Sequence, residues 1–349
     1  MKAITVVPKT DDSLEYADVP EPDVSAGSIL VEAVAVGICG TDVEIATGKY
    51  GWAPAGADRL VLGHESLGRV LEAPAGSGVS AGDLVVGIVR RPDPLPCPSC
   101  AVGEWDMCLN GDYTERGIKS LDGFMSERWR IEPGYVTKLD PTLGILGVLL
   151  EPTTVVAKAW EQVSHMESRA FWQPRTVLVT GAGPIGLLAA MIGVQRGLDV
   201  HVLDRMESGS KPDLVRALGA TYHSGSAKDI GLKPDVVIEC TGVGQVISDV
   251  ITAVGAGGVV CLTGVGSGGR TVGLATADVA TELVLHNNVV VGSVNANRRH
   301  FYRAAEALAR ADREWLDRLV SRRVAPERIH DAFDRGPDDI KVVVQFSPA

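Results

Sequence analysis

Cys39, His64, Glu65 and Glu151 are residue types that bind a divalent transition metal, and they sit in the short motifs GICGTD, GHE and LLEP. A thiolate, an imidazole and a carboxylate suit a tetrahedral zinc that keeps one position open, the arrangement of a catalytic centre. Each residue alone has a plainer explanation. Cys39 could be a small buried hydrophobe, His64 a core histidine, and Glu151 a helix-start residue before Pro152. Their joint occurrence upstream of a nucleotide-binding pattern makes coincidence a poor account.

A second group lies in CPSCAVGEWDMC, where Cys97, Cys100 and Cys108 fall within one short stretch. A disulfide cannot use all three. The first residues, MKAITVVPKTDDSLEY, contain no apolar leader core, and no segment offers 18 uninterrupted apolar residues. The expected compartment is therefore the cytoplasm, where clustered cysteines serve as metal ligands more often than as disulfides. Cys240 and Cys261 lie in apolar strand patterns and are expected to be inert core residues.

Gly181, Gly183 and Gly186 form G-x-G-x-x-G around Pro184 and Ile185. With 40 glycines in 349 residues the pattern alone is weak, and Gly264, Gly266 and Gly269 match it too. Context separates the two. The first follows the apolar run TVLVT and opens the helical run PIGLLAAMIGVQ, so backbone N–H groups and a helix start can meet a pyrophosphate. The second is followed by RTVGLATADV, which carries no clear helical pattern. Asp204 ends the next apolar run, DVHVLD, where a carboxylate can accept hydrogen bonds from both ribose hydroxyls of NAD. Arg205 follows at once and could hold a 2′-phosphate, so NAD is the favoured cofactor with NADP open.

The elements that must position these groups fall into two textures. Up to about residue 150, runs such as SILVEAVAVG, LVLGHESLGRVLEA and GDLVVGIV alternate with Gly, Pro and Asp turns, an all-β pattern. From TVLVT onward, the short apolar runs DVHVLD, PDVVIECTG and GGVVCLTG are separated by helical stretches such as PDLVRALG, the pattern of a parallel sheet covered by helices. RHFYRAAEALARADREWLDRLVSRRV has apolar residues at helical spacing, and IKVVVQF closes the chain as a strand. The net charge of −11, with no long run of like charge, argues against nucleic acid and against a polybasic membrane anchor.

The order GICGTD, GHE, cysteine loop, LLEP, GAGPIG and ECTG resembles the zinc-containing medium-chain alcohol dehydrogenase family over essentially the whole chain. Within it, VRRP, ERGI, DGFMSE, LLEP and VGSVN are similar to the glucose 1-dehydrogenase branch. The resemblance implies an α/β chain with a GroES-like β-rich catalytic domain at 1–157 and a Rossmann doubly wound parallel sheet at 158–295. A C-terminal segment at 296–349 would return to the first domain.

It also implies a catalytic zinc on Cys39, His64 and either Glu65 or Glu151. Thr41 would relay the substrate proton, and Asp42 would orient His64 as a carboxylate behind the ligand. Thr241 and Asn295 would contact the cofactor, and Thr41, Glu115, Glu151 and Asn295 the substrate. Glu115 would hold a sugar by its hydroxyls, unless it is a surface glutamate paired with Arg116. Family members carry a structural zinc on four cysteines. Here Gly103 stands where a third would be expected, so Cys97, Cys100 and Cys108 would need Asp112 as fourth ligand. The implied reaction is zinc- and NAD(P)-dependent oxidation of an aldose, D-glucose first, by a dimer or tetramer. A polyol or other secondary-alcohol dehydrogenase would share the same metal and cofactor residues. A non-catalytic relative, a dinucleotide-binding protein that kept the fold without working zinc, is the remaining alternative, and Cys39, His64 and Glu151 together speak against it.

Overall fold

Residues 1–266, 273 and 276–349 are described by the computed structural model. They form two compact units, one of Met1–Glu151, Ala296–Ala309 and Val320–Ala349, the other of Pro152–Asn295 and Arg310–Leu319. The cut expected after residue 157 thus falls before Pro152. Residues 310–319, expected to return to the first domain, stay with the second unit, where the Trp315 indole N–H donates to the Leu214 carbonyl at 2.9 Å.

In the first unit the Val- and Ala-rich runs form strands β1 (Ile29–Gly37), β2 (Glu65–Glu72) and β3 (Leu84–Gly87). β4 (Arg128–Ile131) pairs with β1, and β5 (Val136–Lys138) with β3, both antiparallel. Ile29, Val31, Val36, Leu62, Val70, Phe124 and Trp129 bury their side chains in one core. The β1–β2 register puts Gly37 opposite Glu65, with two register shifts along the way that bend the strands. That register decides the site. The turn leaving β1 carries Cys39, the residue entering β2 is preceded by His64, and both therefore meet at one end of the sheet. Helix α1 (Gly40–Ala46) starts directly after Cys39.

The second unit holds six parallel strands: β6 (Thr176–Thr180), β7 (Asp199–Leu203), β8 (Thr221–His223), β9 (Val236–Glu239), β10 (Val259–Leu262) and β11 (Val289–Gly292). Their order in the sheet is β8-β7-β6-β9-β10-β11, all parallel, so the direction of winding reverses beside β6. Dinucleotides bind at such a reversal. Helix α2 (Pro184–Gln195) follows β6. The second glycine match behaves differently. Gly264 and Gly266 follow β10 without being helical, the next helix among the described residues begins at Thr276, and Gly269 lies outside the described residues.

The long helical pattern after residue 298 resolves into two helices, Arg298–Arg310 and Arg313–Leu319, because Asp312 breaks it and accepts the Trp315 N–H at 2.9 Å. The chain then adds β12 (Arg322–Val324) and β13 (Val342–Gln345) to the first unit's sheet, with Val343 opposite Gly37 of β1. Among the described residues one helical stretch, Pro141–Arg169, is long and apolar enough to cross a membrane, and 78% of its most apolar window is buried inside the protein.

Candidate functional site

Cys39, His64 and Glu65 bring one ligand atom each to within 4.8 Å of one another. Asp42 joins them. Fully buried, it accepts the Cys39 backbone N–H at 2.8 Å with one oxygen and faces His64 Nδ1 at 3.4 Å with the other. It stands three residues into α1, so the same carboxylate caps the helix start and orients the imidazole. Burial disfavours a charged His64, but Asp42 and then Cys39 outweigh it and raise its pKa well above 6.5. Negative groups thus gather where a dication would sit, and the donor set fits zinc: one sulfur, one ring nitrogen and one carboxylate. Thr41, half-buried, lies on the first turn of α1 beside Cys39.

The two glutamates left open by the sequence are not equivalent. Glu65 belongs to the three-residue group, whereas Glu151 lies outside it. Glu151 is buried, and burial pushes its pKa up to about 7, with His64 pulling it down and Glu65 pushing it up. Both oxygens of Glu65 accept from the Lys341 ammonium, at 2.7 and 2.5 Å.

Cys97, Cys100 and Cys108 also bring their sulfurs within 4.8 Å of one another. Cys97 caps the short helix Pro98–Ala101, and backbone N–H groups of Leu109 and Cys100 point at its sulfur, lowering its pKa to about 6. That is an environment for a thiolate ligand. Asp112 is exposed and lies outside the group. Asp93, also outside the group, is the buried carboxylate of the two that flank the cysteines. Its Oδ2 has no hydrogen-bond partner among the described residues, and its backbone N–H points at Cys100.

Glu115 is neither on the surface nor paired with Arg116. Arg116 donates instead to the carbonyls of Asp122 and Arg130. Buried Glu115 accepts from Arg90 Nε and Nη2 at 3.1 and 3.0 Å through one oxygen, and Arg90 stacks on the Tyr113 ring. The two residues stand opposite each other in a small antiparallel pairing of Arg90–Arg91 with Thr114–Arg116.

In the second unit Gly181 takes φ +87°, and a Cβ on Gly186 would lie 1.7 Å from the Gly181 carbonyl oxygen, so the turn from β6 into α2 closes only with glycine there. A Cβ on Gly183 would meet nothing within 4 Å among the described residues, which suits a helix start that receives a phosphate. Pro184 and Ile185 are the first two residues of α2. Asp204 follows β7 and accepts backbone N–H groups of Ala182 at 2.7 Å and Met206 at 3.1 Å. Arg205 beside it is exposed. Thr241 is held by buried Glu239, which accepts from its backbone N–H and its hydroxyl. Asn295 adopts φ +60°.

The alcohol dehydrogenase GroES-like domain family matches residues 25–141, and the glucose dehydrogenase C-terminus family matches 144–346. The chain belongs to the glucose dehydrogenase family. It is 39% identical to glucose 1-dehydrogenase of Methanocella arvoryzae over 99% of both chains, and 40% identical to that of Thermoproteus tenax over 99% of both. Among solved structures, a glucose dehydrogenase of Haloferax mediterranei in complex with NADP, Zn and gluconolactone has a TM-score of 0.92 at 31% identity, covering 100% of both chains.

Three residues of this glucose dehydrogenase family member escaped sequence reasoning. Lys341 is a lone lysine in the apolar run IKVVVQF, which is the signal that could have exposed it. Arg90 stands in VRRP with no spacing that links it to Glu115. Asp93 precedes Cys97 by four residues, as close as Asp112 follows Cys108, and only burial distinguishes the two.

Proposed function

We propose that the chain oxidises an aldose at C1, D-glucose ahead of D-galactose or a pentose, to the lactone, with hydride transfer to NAD(P). The reading is carried by the convergence of Cys39, His64 and Glu65 around Asp42 in a chain matching glucose 1-dehydrogenases over 99% of its length. Zinc and the dinucleotide, when bound, supply Lewis-acid polarisation of the C1 oxygen and a hydride acceptor. The chain's own residues do the rest. Cys39, His64 and a glutamate, Glu65 or Glu151, hold the metal, with Asp42 fixing the imidazole so that its second nitrogen faces the ion. Thr41 accepts the proton of the C1 hydroxyl at its Oγ1 and passes it towards solvent. Glu115, oriented by Arg90, accepts hydrogen bonds from remote sugar hydroxyls, which fixes the ring.

Gly181, Gly183 and Gly186 receive the pyrophosphate with Pro184 and Ile185, while Thr241 and Asn295 border the nicotinamide end. Asp204 favours free ribose hydroxyls and Arg205 supports a 2′-phosphate, so both cofactors are accepted. Cys97, Cys100 and Cys108 would hold a second, structural zinc, with a neighbouring carboxylate, Asp112 or the buried Asp93, as fourth ligand. All six cysteines are free thiols, which supports a reducing, cytoplasmic setting. Neither nucleic acid nor membrane is a partner in this reading. A homo-oligomer is favoured by β11, the outer strand of the second sheet, with Val290 exposed on it and Val284 and Leu285 exposed just before it.

A panel of aldoses and polyols, run with NAD and with NADP and read by nicotinamide absorbance, tests the assignment. D-glucose should lead. Sorbitol outrunning every aldose would overturn it in favour of a polyol dehydrogenase.

A further inference from the structure

Glu239 ends β9 directly opposite Thr180, the last residue of β6, and it is fully buried. Four donors converge on its carboxylate. Oε1 accepts the Thr180 hydroxyl at 3.2 Å, the Thr241 N–H at 2.8 Å and the Thr241 hydroxyl, and Oε2 accepts the Gly242 N–H at 3.1 Å. All four donors are neutral. Burying a carboxylate costs stability unless hydrogen bonds offset the lost water. Here every bond goes to one of two turns: Thr180 leads straight into Gly181, and Thr241 and Gly242 leave β9.

The two turns also touch each other, because a Cβ on Gly181 would lie 3.0 Å from the Thr241 methyl. On the other flank the chain leaving β10 closes in. The Glu239 carbonyl accepts the Thr263 hydroxyl at 2.7 Å, the Thr263 N–H at 2.8 Å and the Gly264 N–H at 3.0 Å. Gly242 takes φ +65°, a Cβ on Gly264 would lie 2.2 Å from the Gly242 nitrogen, and one on Gly266 would lie 2.7 Å from the Gly242 carbonyl oxygen. Backbone packs on backbone there, which glycine permits. Two glycines of the second glycine match thus have a use: they seat the Thr241–Gly242 turn.

β6 and β9 flank the reversal of winding, and both turns lie at the carboxyl ends of these strands. Asp204 follows β7 on one side of β6, where the adenosine ribose is read. Thr241 follows β9 on the other side, which leaves that side to the nicotinamide half.

We infer that Glu239 is a positioning residue for the cofactor: it ties the Thr241–Gly242 turn, the bed of the nicotinamide half, to the pyrophosphate turn at Gly181. The inference rests on the dinucleotide reading above and adds the group that fixes the two halves of the site relative to each other.

The test is isothermal titration of the full-length, zinc-loaded protein. NADH and NADPH are compared with ADP-ribose and its 2′-phosphate, which carry the adenosine half and the pyrophosphate but no nicotinamide. Glu239→Gln keeps the shape of the side chain. With its oxygen on Thr180 and Thr241, its NH2 confronts the Gly242 N–H, donor against donor, and the turn is released. Reduced cofactor should bind about tenfold or more weakly, with ADP-ribose within about twofold of wild type. Gly264→Ala pushes the same turn from its other flank without touching a charge, and should give the same split. A merely structural residue would lower both ligands together. Equal losses for cofactor and ADP-ribose, or cofactor binding within about twofold of wild type in both variants, would overturn the inference.

If Glu239→Gln does not fold, Thr180→Val cuts the tie to β6 at nearly constant shape. It should cost about three- to tenfold, confined to the reduced cofactor, and an equal loss for ADP-ribose or no loss at all would refute the idea. Failure of the underlying reading looks different: the wild type would then bind neither the reduced cofactors nor ADP-ribose.

Discussion

Asp42→Asn is the sharpest probe of the metal site, because it keeps the shape of a fully buried side chain and changes only its charge and donors. In the wild type one carboxylate oxygen accepts the Cys39 N–H at 2.8 Å, and the other faces His64 Nδ1 at 3.4 Å as an ion-pair partner. The charge facing Nδ1 favours a proton there, which would leave the Nε2 lone pair for the metal. An asparagine must give its single oxygen to the Cys39 N–H, which turns its NH2 towards Nδ1. Nδ1 then has to accept, the proton moves to Nε2, and the ligand position is blocked. Loss of such an oriented partner costs about 10- to 100-fold in metal affinity, or about 1.4–2.8 kcal/mol.

The pH behaviour of the zinc-free protein checks the same geometry. His64 has a folded pKa raised well above 6.5, so its stabilising contribution is fully present below the unfolded value and is lost as pH rises through the folded one. Asp42→Asn should flatten that slope. Zinc affinity by chelator competition and thermal unfolding of the zinc-free protein across pH are the assays. A variant binding zinc within about twofold of wild type, with an unchanged pH slope, would refute the tautomer argument.

Glu115→Gln should cost about 10- to 100-fold in kcat/KM for glucose but leave a small alcohol nearly untouched; equal losses would show that Glu115 serves only Arg90 and the fold. Arg205→Ala should lower kcat/KM with NADP by about tenfold and spare NAD, and parallel losses would remove Arg205 from cofactor choice. Cys100→Ser should take zinc from two ions per chain to one and lower Tm with activity retained at moderate temperature, because a structural zinc contributes directly to folding. Elemental analysis finding a single zinc in the wild type would count against the lobe.

The sequence by itself determined which chemistry was available and in which layer it would sit. Val- and Ala-rich runs cut by Gly, Pro and Asp specify strands wherever they lie, and TVLVT followed by G-x-G-x-x-G specifies a strand, a tight turn and a helix through local sterics alone. Cys39, His64 and the pair Glu65 and Glu151 were legible as candidate ligands because ligand type is a property of the side chain. The carboxylate of Asp42, three residues from Cys39, was legible as a partner for His64, and its second task of capping the helix start came from the structure.

What only the tertiary structure decided are the pairings between distant segments. Glu65 and Lys341 are 276 residues apart and Arg90 and Glu115 are 25 apart, and neither separation matches a helical or strand period. Asp93 and Asp112 flank the cysteines almost symmetrically in sequence, and burial of one with exposure of the other separates them. Glu65 and Glu151 are both buried, and only the fold brings the first, not the second, into one group with Cys39 and His64. Long-range electrostatics depends on where folding brings charges together and how much water it removes between them, and neither quantity is written in the spacing of residues along a chain.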